Sequence, residues 1–172
     1  MQDTSPVIQS FNQDIEPDFW AMLERFNFHI DREYYERCIE RHNEGELLLL
    51  LARLKQDYVG YCLLNWQPKY APFKNSALPE IQDLNVVDQY RRRGIGRKIV
   101  EYCEALARQE GHDEMGIGVG LNSSFGAAQR LYVRLGYVPD GSGVSYDRKQ
   151  VAAGEFRPID ENLSLMMTKK LN

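Results

Sequence analysis

Five cations crowd one short stretch of this chain: Arg91, Arg92, Arg93, Arg97 and Lys98 surround Gly94 and Gly96, where an extended segment, Glu80 to Val87, gives way to a helical one. A helix N-terminus carries unpartnered N–H groups and a partial positive charge, so each cation placed there is disfavoured by about 0.3–1 kcal/mol. A large anion at the turn accounts for the pattern, because glycines let the backbone approach it, N–H groups point at it and arginines neutralise it. We read the turn as a pyrophosphate site. It is neither of two familiar phosphate loops. A P-loop needs Gly-Lys followed by Ser or Thr, and no such triplet follows Gly96. A dinucleotide fingerprint needs a third glycine, where this chain has Ile99.

A basic run can also touch nucleic acid, but the balance of charge argues against it here. Lys and Arg number 21 against 25 acidic residues, the net charge is −4, and the basic cluster is local rather than spread over a face. A compact anion fits better. A length of 172 residues with 43% hydrophobic content predicts a single globular domain over 1–172 with a substantial core. The longest apolar run, Leu47 to Ala52, is too short to span a bilayer, and Met1 to Ser10 lacks the regions of a signal peptide, so no membrane association and a cytoplasmic location are expected. Cys38, Cys62 and Cys103 form an odd, widely spaced set without a Cys-x-x-Cys pair, and His29, His42 and His112 stand apart from any ligand-like spacing. No metal is expected.

The elements that must carry the turn follow from periodicity. Val7 to Phe11 reads as a short strand, Pro17 to Phe28 as a helix capped by Asp14 or Glu16, and Asp31 to His42 as a second helix. Glu46 to Leu54 and Tyr58 to Trp66 read as a hairpin around Lys55-Gln56-Asp57, and a loop with Pro68, Pro72 and Pro79 leads into the motif strand. After the turn, Ile95, Ile99, Val100, Cys103, Leu106 and Ala107 share one helix face, and Gly111 closes it. Glu114 to Leu121 then reads as a strand whose Gly116, Gly118 and Gly120 point one way, a bare face along which a ligand could pass close to the backbone. A helix capped by Ser123 or Ser124 carries Phe125, Ala128, Leu131, Tyr132 and Leu135 to Gly136. Strand pattern returns from Val138, with a loop at Asp140-Gly-Ser-Gly143 and a last strand near Leu163 to Lys169.

Two segments of this layout resemble the GNAT superfamily of acyl-CoA-dependent N-acetyltransferases. Arg91-x-x-Gly94-x-Gly96, set between a strand and an amphipathic helix, is similar to the family's acetyl-CoA signature, and Leu131-Tyr-Val-Arg-Leu-Gly-Tyr137 is similar to a second family segment about forty residues on. The two matches occur in the family's order, within a resemblance covering roughly residues 46–170. It implies a mixed α/β (α+β) fold, with a central, mostly antiparallel, splayed sheet of about six to seven strands flanked by about four helices.

Transfer of an acetyl group to an amine needs a neutral nucleophile. An ordinary alkyl ammonium is neutral at pH 7 in only about one part in two thousand, so a base must take a proton. The resemblance places Glu80 where some members carry a catalytic glutamate, with Asp83 as second choice. It implies that the Leu84 N–H steadies the charge developing on the carbonyl oxygen, a donor worth about 2.7–4 kcal/mol in such sites. Tyr132 would protonate the departing CoA thiolate. The cofactor-binding set it implies is Leu84, Val86, Val87, Arg91, Arg92, Arg93, Gly94, Ile95, Gly96, Arg97, Asn122, Ala127 and Tyr132. One departure stands out: many members have an asparagine seven residues before the tyrosine, and this chain has Phe125.

The acceptor is expected to be a small-molecule or peptide amine, with no nucleic acid partner. Tyr61, Trp66, Tyr70 and Phe73 could wall an amine pocket or simply cover the sheet. The strand edge after Val144 could support a homodimer. The alternative to an enzyme is a non-catalytic acyl-CoA-binding sensor or interaction module on the same fold.

Overall fold

The structure, a computed structural model, describes residues 5–172. Eight strands and five α-helices occur among the described residues: β1 Val7–Ser10, α1 Glu16–Leu23, α2 Arg32–Asn43, β2 Leu47–Leu54, β3 Asp57–Asn65, α3 Ala71–Asn75, β4 Glu80–Val86, α4 Ile95–Gln109, β5 Glu114–Gly120, α5 Gly126–Arg134, β6 Val138–Tyr146, β7 Lys149–Gln150 and β8 Leu163–Lys170. The mixed, mostly antiparallel sheet architecture holds, with one strand more than the expected six to seven and one helix more than the expected four. The extra helix is α3, a single turn started by Pro72, whose missing N–H matters least in a first helical turn. The least legible strand is β7, two residues long.

The chain groups into two compact units, residues 1–65 with 82–103 and residues 66–81 with 104–172. In the first, antiparallel pairing joins β1 to β2 and β2 to β3, with Leu47 opposite Asn65 and Leu51 opposite Tyr61. Its core gathers Phe19, Met22 and Leu23 from α1, Tyr35 and Cys38 from α2, and Leu47, Leu49, Leu51, Tyr61 and Leu63 from the sheet. Phe19 meets the rings of Tyr35 and Tyr61 edge-on, each at 6.0 Å between centroids, a geometry that adds about 0.5–1.5 kcal/mol per pair to burial. Asp31 caps α2, its carboxylate accepting from the Tyr34 N–H. Asn12, rather than Asp14 or Glu16, caps the 3-10 turn that leads into α1. The Cys62 and Cys103 sulfurs lie 3.6 Å apart and are wholly buried, as packing groups.

In the second unit the first two residues of β4 pair in parallel with β5, Glu80 opposite Gly116 and Ile81 opposite Ile117. β5 continues antiparallel to β8, and β8 to β6, whose register shifts between Pro139 and Val144 across the Asp140–Gly143 segment read as a loop from sequence. β7 folds back on β6, Ser145 opposite Gln150 and Tyr146 opposite Lys149, so the edge after Val144 is already paired within the chain. The bare glycine face of β5 is also taken. A Cβ at Gly116 would strike the Phe73 ring, one at Gly120 the Phe125 ring, and one at Gly118 would stand 2.9 Å from the Met166 sulfur. These glycines make room for the protein's own side chains rather than for a ligand.

Candidate active site

The residues singled out in the sequence fall into two groups, one in each unit. In the first unit, β4 is brought close to β3 by Gly60, where a Cβ would lie 2.8 Å from the Asn85 carbonyl oxygen. Within β4, Asp83 adopts φ +51°, a left-handed conformation that departs from regular strand geometry. Leu84 and Val86 are half-buried, and Asp83 is exposed. The Tyr34 hydroxyl donates to Asp83 Oδ2. Asn85 Nδ2 donates to the Tyr61 hydroxyl at 3.1 Å, and the Tyr35 and Tyr61 hydroxyls lie 2.6 Å apart. Burial, with the Asp83 charge next, pushes the Tyr34 hydroxyl up, and burial pushes Tyr35 up to about 12. These phenols are neutral hydrogen-bonding groups.

The strand ends at Val86, the N–H of the next residue, Val87, donates to the Val59 carbonyl at 2.9 Å, and a 3-10 turn over Asp88–Tyr90 brings the chain to the arginines. Arg92 at φ +62° and Gly94 at φ +78° are left-handed, the alternation that turns successive N–H groups into an anion-binding nest. The first α-helical bond of α4 runs from the Lys98 N–H to the Gly94 carbonyl at 3.0 Å, so the N–H groups of Ile95, Gly96 and Arg97 precede the ladder. Ile95 is buried and anchors the helix start, while Arg91, Arg92, Arg93 and Arg97 are exposed. The arginines are not equivalent. Arg91 is folded back on its own strand, Nε donating to the Val86 carbonyl at 3.0 Å and Nη2 lying 3.0 Å from Asp88 Oδ1. The Arg93 guanidinium lies over the Tyr90 ring at 5.3 Å. Arg97 and Lys98 reach Glu101 only at 3.6 Å.

In the second unit, Glu80 is 1% exposed, and Nη1 of Arg148 donates to both of its carboxylate oxygens at 2.7 Å. Arg148 was not among the residues marked from sequence. It lies 68 positions away at the tip of the β6–β7 hairpin, and its only local signal is an Asp147-Arg148 turn where Asn-Gly is preferred. Tyr132 on α5 is 4% exposed with its ring 6.2 Å from that of Tyr137. Asn122 caps the turn before α5, its Oδ1 accepting from the Ser124 N–H and hydroxyl, and Ala127 is exposed in the first turn of α5. Tyr61, Tyr70 and Phe73 are core residues, and Trp66 is half-buried and stacked on His112 at 5.7 Å. Of the four aromatics considered as pocket walls, three are therefore interior packing. Among the described residues no group of three or more His, Cys, Asp or Glu side chains is placed to hold a metal, and no helix is long and apolar enough to cross a membrane.

The site's residues suit an anion at the β4–α4 turn and proton transfer at a buried carboxylate. The acetyltransferase (GNAT) family profile matches residues 11–137. An uncharacterized N-acetyltransferase of Chlorobaculum tepidum is 31% identical over 102 residues, a match that covers 59% of this chain and 57% of that relative, little more than half its length. The fold is similar to that of a ribosomal-protein-alanine N-acetyltransferase from Brucella melitensis, with a TM-score of 0.69 and 19% identity over 96% of this chain and 99% of that one. It is also similar to an acetyltransferase from Salmonella typhimurium solved with its cofactor acetyl-CoA, with a TM-score of 0.67 and 16% identity over 98% and 95% of the two chains. At these identities the structural likeness shows the fold.

Proposed function

The chain belongs to the GNAT acetyltransferase family, and from that premise we propose that it transfers an acetyl group from acetyl-CoA to a primary amine by direct attack in a ternary complex. The observation that carries this reading is the β4–α4 turn: N–H groups ahead of the α4 ladder, a left-handed Arg92 and Gly94, and exposed cations. Those features suit the pyrophosphate of CoA. Arg92, Arg93 and Arg97 neutralise it. Arg91 joins them by leaving Asp88, a surface pair of the kind worth only about 0–1 kcal/mol.

Acetyl-CoA supplies the acyl group as a thioester. The Leu84 N–H donates to the charge that develops on the carbonyl oxygen, and Val86 and Val87 offer backbone to the pantetheine arm. Glu80 takes a proton from the acceptor nitrogen, directly or through water, as that nitrogen forms its bond to the acetyl carbon. Tyr132 then gives its hydroxyl proton to the departing thiolate. Asn122 and Ala127, ahead of and within the first turn of α5, complete the donor contacts. The acceptor is a small-molecule or peptide amine, a reading supported by fold neighbours described as ribosomal-protein-alanine N-acetyltransferases, and the reaction is placed in the cytoplasm.

One observation favours a second reading, a non-catalytic acyl-CoA sensor: Glu80 is sealed from solvent and already held by Arg148. A screen of small amines and short peptides, following thiol release from acetyl-CoA, separates the two. An enzyme releases thiol in proportion to one acceptor class and loses that release in Glu80→Gln with acetyl-CoA binding intact. A sensor binds acetyl-CoA and releases none.

A further inference from the structure

We propose that Arg148 is a positioning residue for the transfer reaction, holding the Glu80 carboxylate ionised and fixed in orientation so that it is ready to accept a proton at neutral pH. The inference rests on the functional reading above, and it starts from an imbalance of burial. A carboxyl 1% exposed would ordinarily keep its proton, because burial disfavours the charged form, and a protonated Glu80 could not act as a base. Arg148 reverses that preference. Its Nη1 donates to both carboxylate oxygens at 2.7 Å, a charge-assisted contact that favours the ionised form.

The backbone under Arg148 points the same way. The β6–β7 hairpin closes through Asp147 at φ +49° and Arg148 at φ +61°, with Tyr146 opposite Lys149. A two-residue turn with both φ values positive favours Asn-Gly, and an arginine in the second place is held left-handed against its preference. Such a conformation persists where the surroundings fix it, and here what is gained is one guanidinium on one buried carboxylate. Arg148 remains 37% exposed along its side chain, so the pair lies at the border between interior and solvent.

The strand neighbours of Glu80 carry no charge of their own. Gly116, opposite Glu80 on β5, and Thr168, opposite Gly116 on β8, carry none. Tyr70, from the segment before α3, feels the Glu80 charge, and its hydroxyl donates to Asp140 of β6 at 2.8 Å. Arg148 is the cation seen to pair with Glu80.

The test pairs a pH profile with a direct titration. In wild type, carbon-13 NMR of the Glu80 carboxyl, assigned with Glu80→Gln, is expected to titrate below the usual glutamate value of about 4.3. Titration above that value overturns the proposal, and this arm needs no variant at Arg148 and no turnover. In Arg148→Met, the acid limb of kcat at saturating acceptor is expected to move up by about one to three pH units, with kcat recovering above the new limb. Arg148→Lys, which keeps the charge on a shorter side chain and so places its nitrogen differently, is expected to leave the limb near its wild-type position and lower kcat at every pH. A uniform loss in Arg148→Met with the limb unmoved would make Arg148 merely structural, and higher activity at all pH values would make it an obstacle. Either result overturns the inference while leaving acetyl transfer standing. Failure of every amine to react, beside a low-titrating Glu80, overturns the enzymatic reading instead.

Discussion

The β4–α4 turn and the Glu80 cluster both concentrate charge, and they do so in opposite ways. The turn is open: its cations are exposed, its N–H groups precede a helix ladder, and its ion pairs are loose or local. The cluster is closed, with a carboxylate wholly buried and its partner brought from 68 positions away. Unspent charge at the surface is what a charged ligand needs. A spent, oriented charge in the interior suits a group that must hold one protonation state until chemistry begins. On the proposed reading, binding and proton transfer belong to different kinds of environment.

The sharpest way to break the contrast is at the closed end. Glu80→Gln is expected to lower kcat about 10²–10⁴-fold while acetyl-CoA affinity stays within twofold, read by steady-state thiol release beside calorimetry. A parallel loss of affinity would erase the division between the two regions. Tyr132→Phe should lower kcat less, about 10–10²-fold, again without weakening donor binding, because water can protonate a good thiolate leaving group.

A third expectation concerns packing around the closed region. Gly116→Ala drives a Cβ into the Phe73 ring and should destabilise the fold by about 1–3 kcal/mol in denaturant unfolding. An unchanged midpoint would mean that the glycine face is looser than its contacts imply and could admit a ligand after all. The smallest effect belongs to the phenols beside β4. Tyr35 is raised to about 12 in the fold, chiefly by burial, against about 10 when unfolded. Its stabilisation is therefore complete below pH about 10 and lost as pH rises toward the folded value. Wild type should lose thermal stability progressively above pH about 10, and Tyr35→Phe should lose less over the same range.

What the sequence revealed follows the same division. The turn is contiguous: cations, glycines and helix stripe lie within about twenty residues, so their spacing alone predicts an anion site. The bounds of α2, β2, β4 and β8 were readable because capping and hydrophobic alternation are local. Arg148 was not, because its partner is distant and its own signal is only the lack of a glycine in a primed turn. The left-handed Asp83 also escaped, since a positive φ inside a strand leaves no mark on composition. The β5 glycines misled for a related reason. A missing side chain announces space, but whether a ligand, Phe73 or Phe125 fills it depends on chain that packs there from elsewhere.

Anion binding at the open turn is tested most directly by calorimetric titration of acetyl-CoA and CoA into wild type and an Arg91→Ala/Arg92→Ala/Arg93→Ala variant. Binding of both ligands to wild type, weakened about tenfold or more in a variant with unchanged circular dichroism, is the predicted result. No binding to wild type, or equal binding to both proteins, would contradict it.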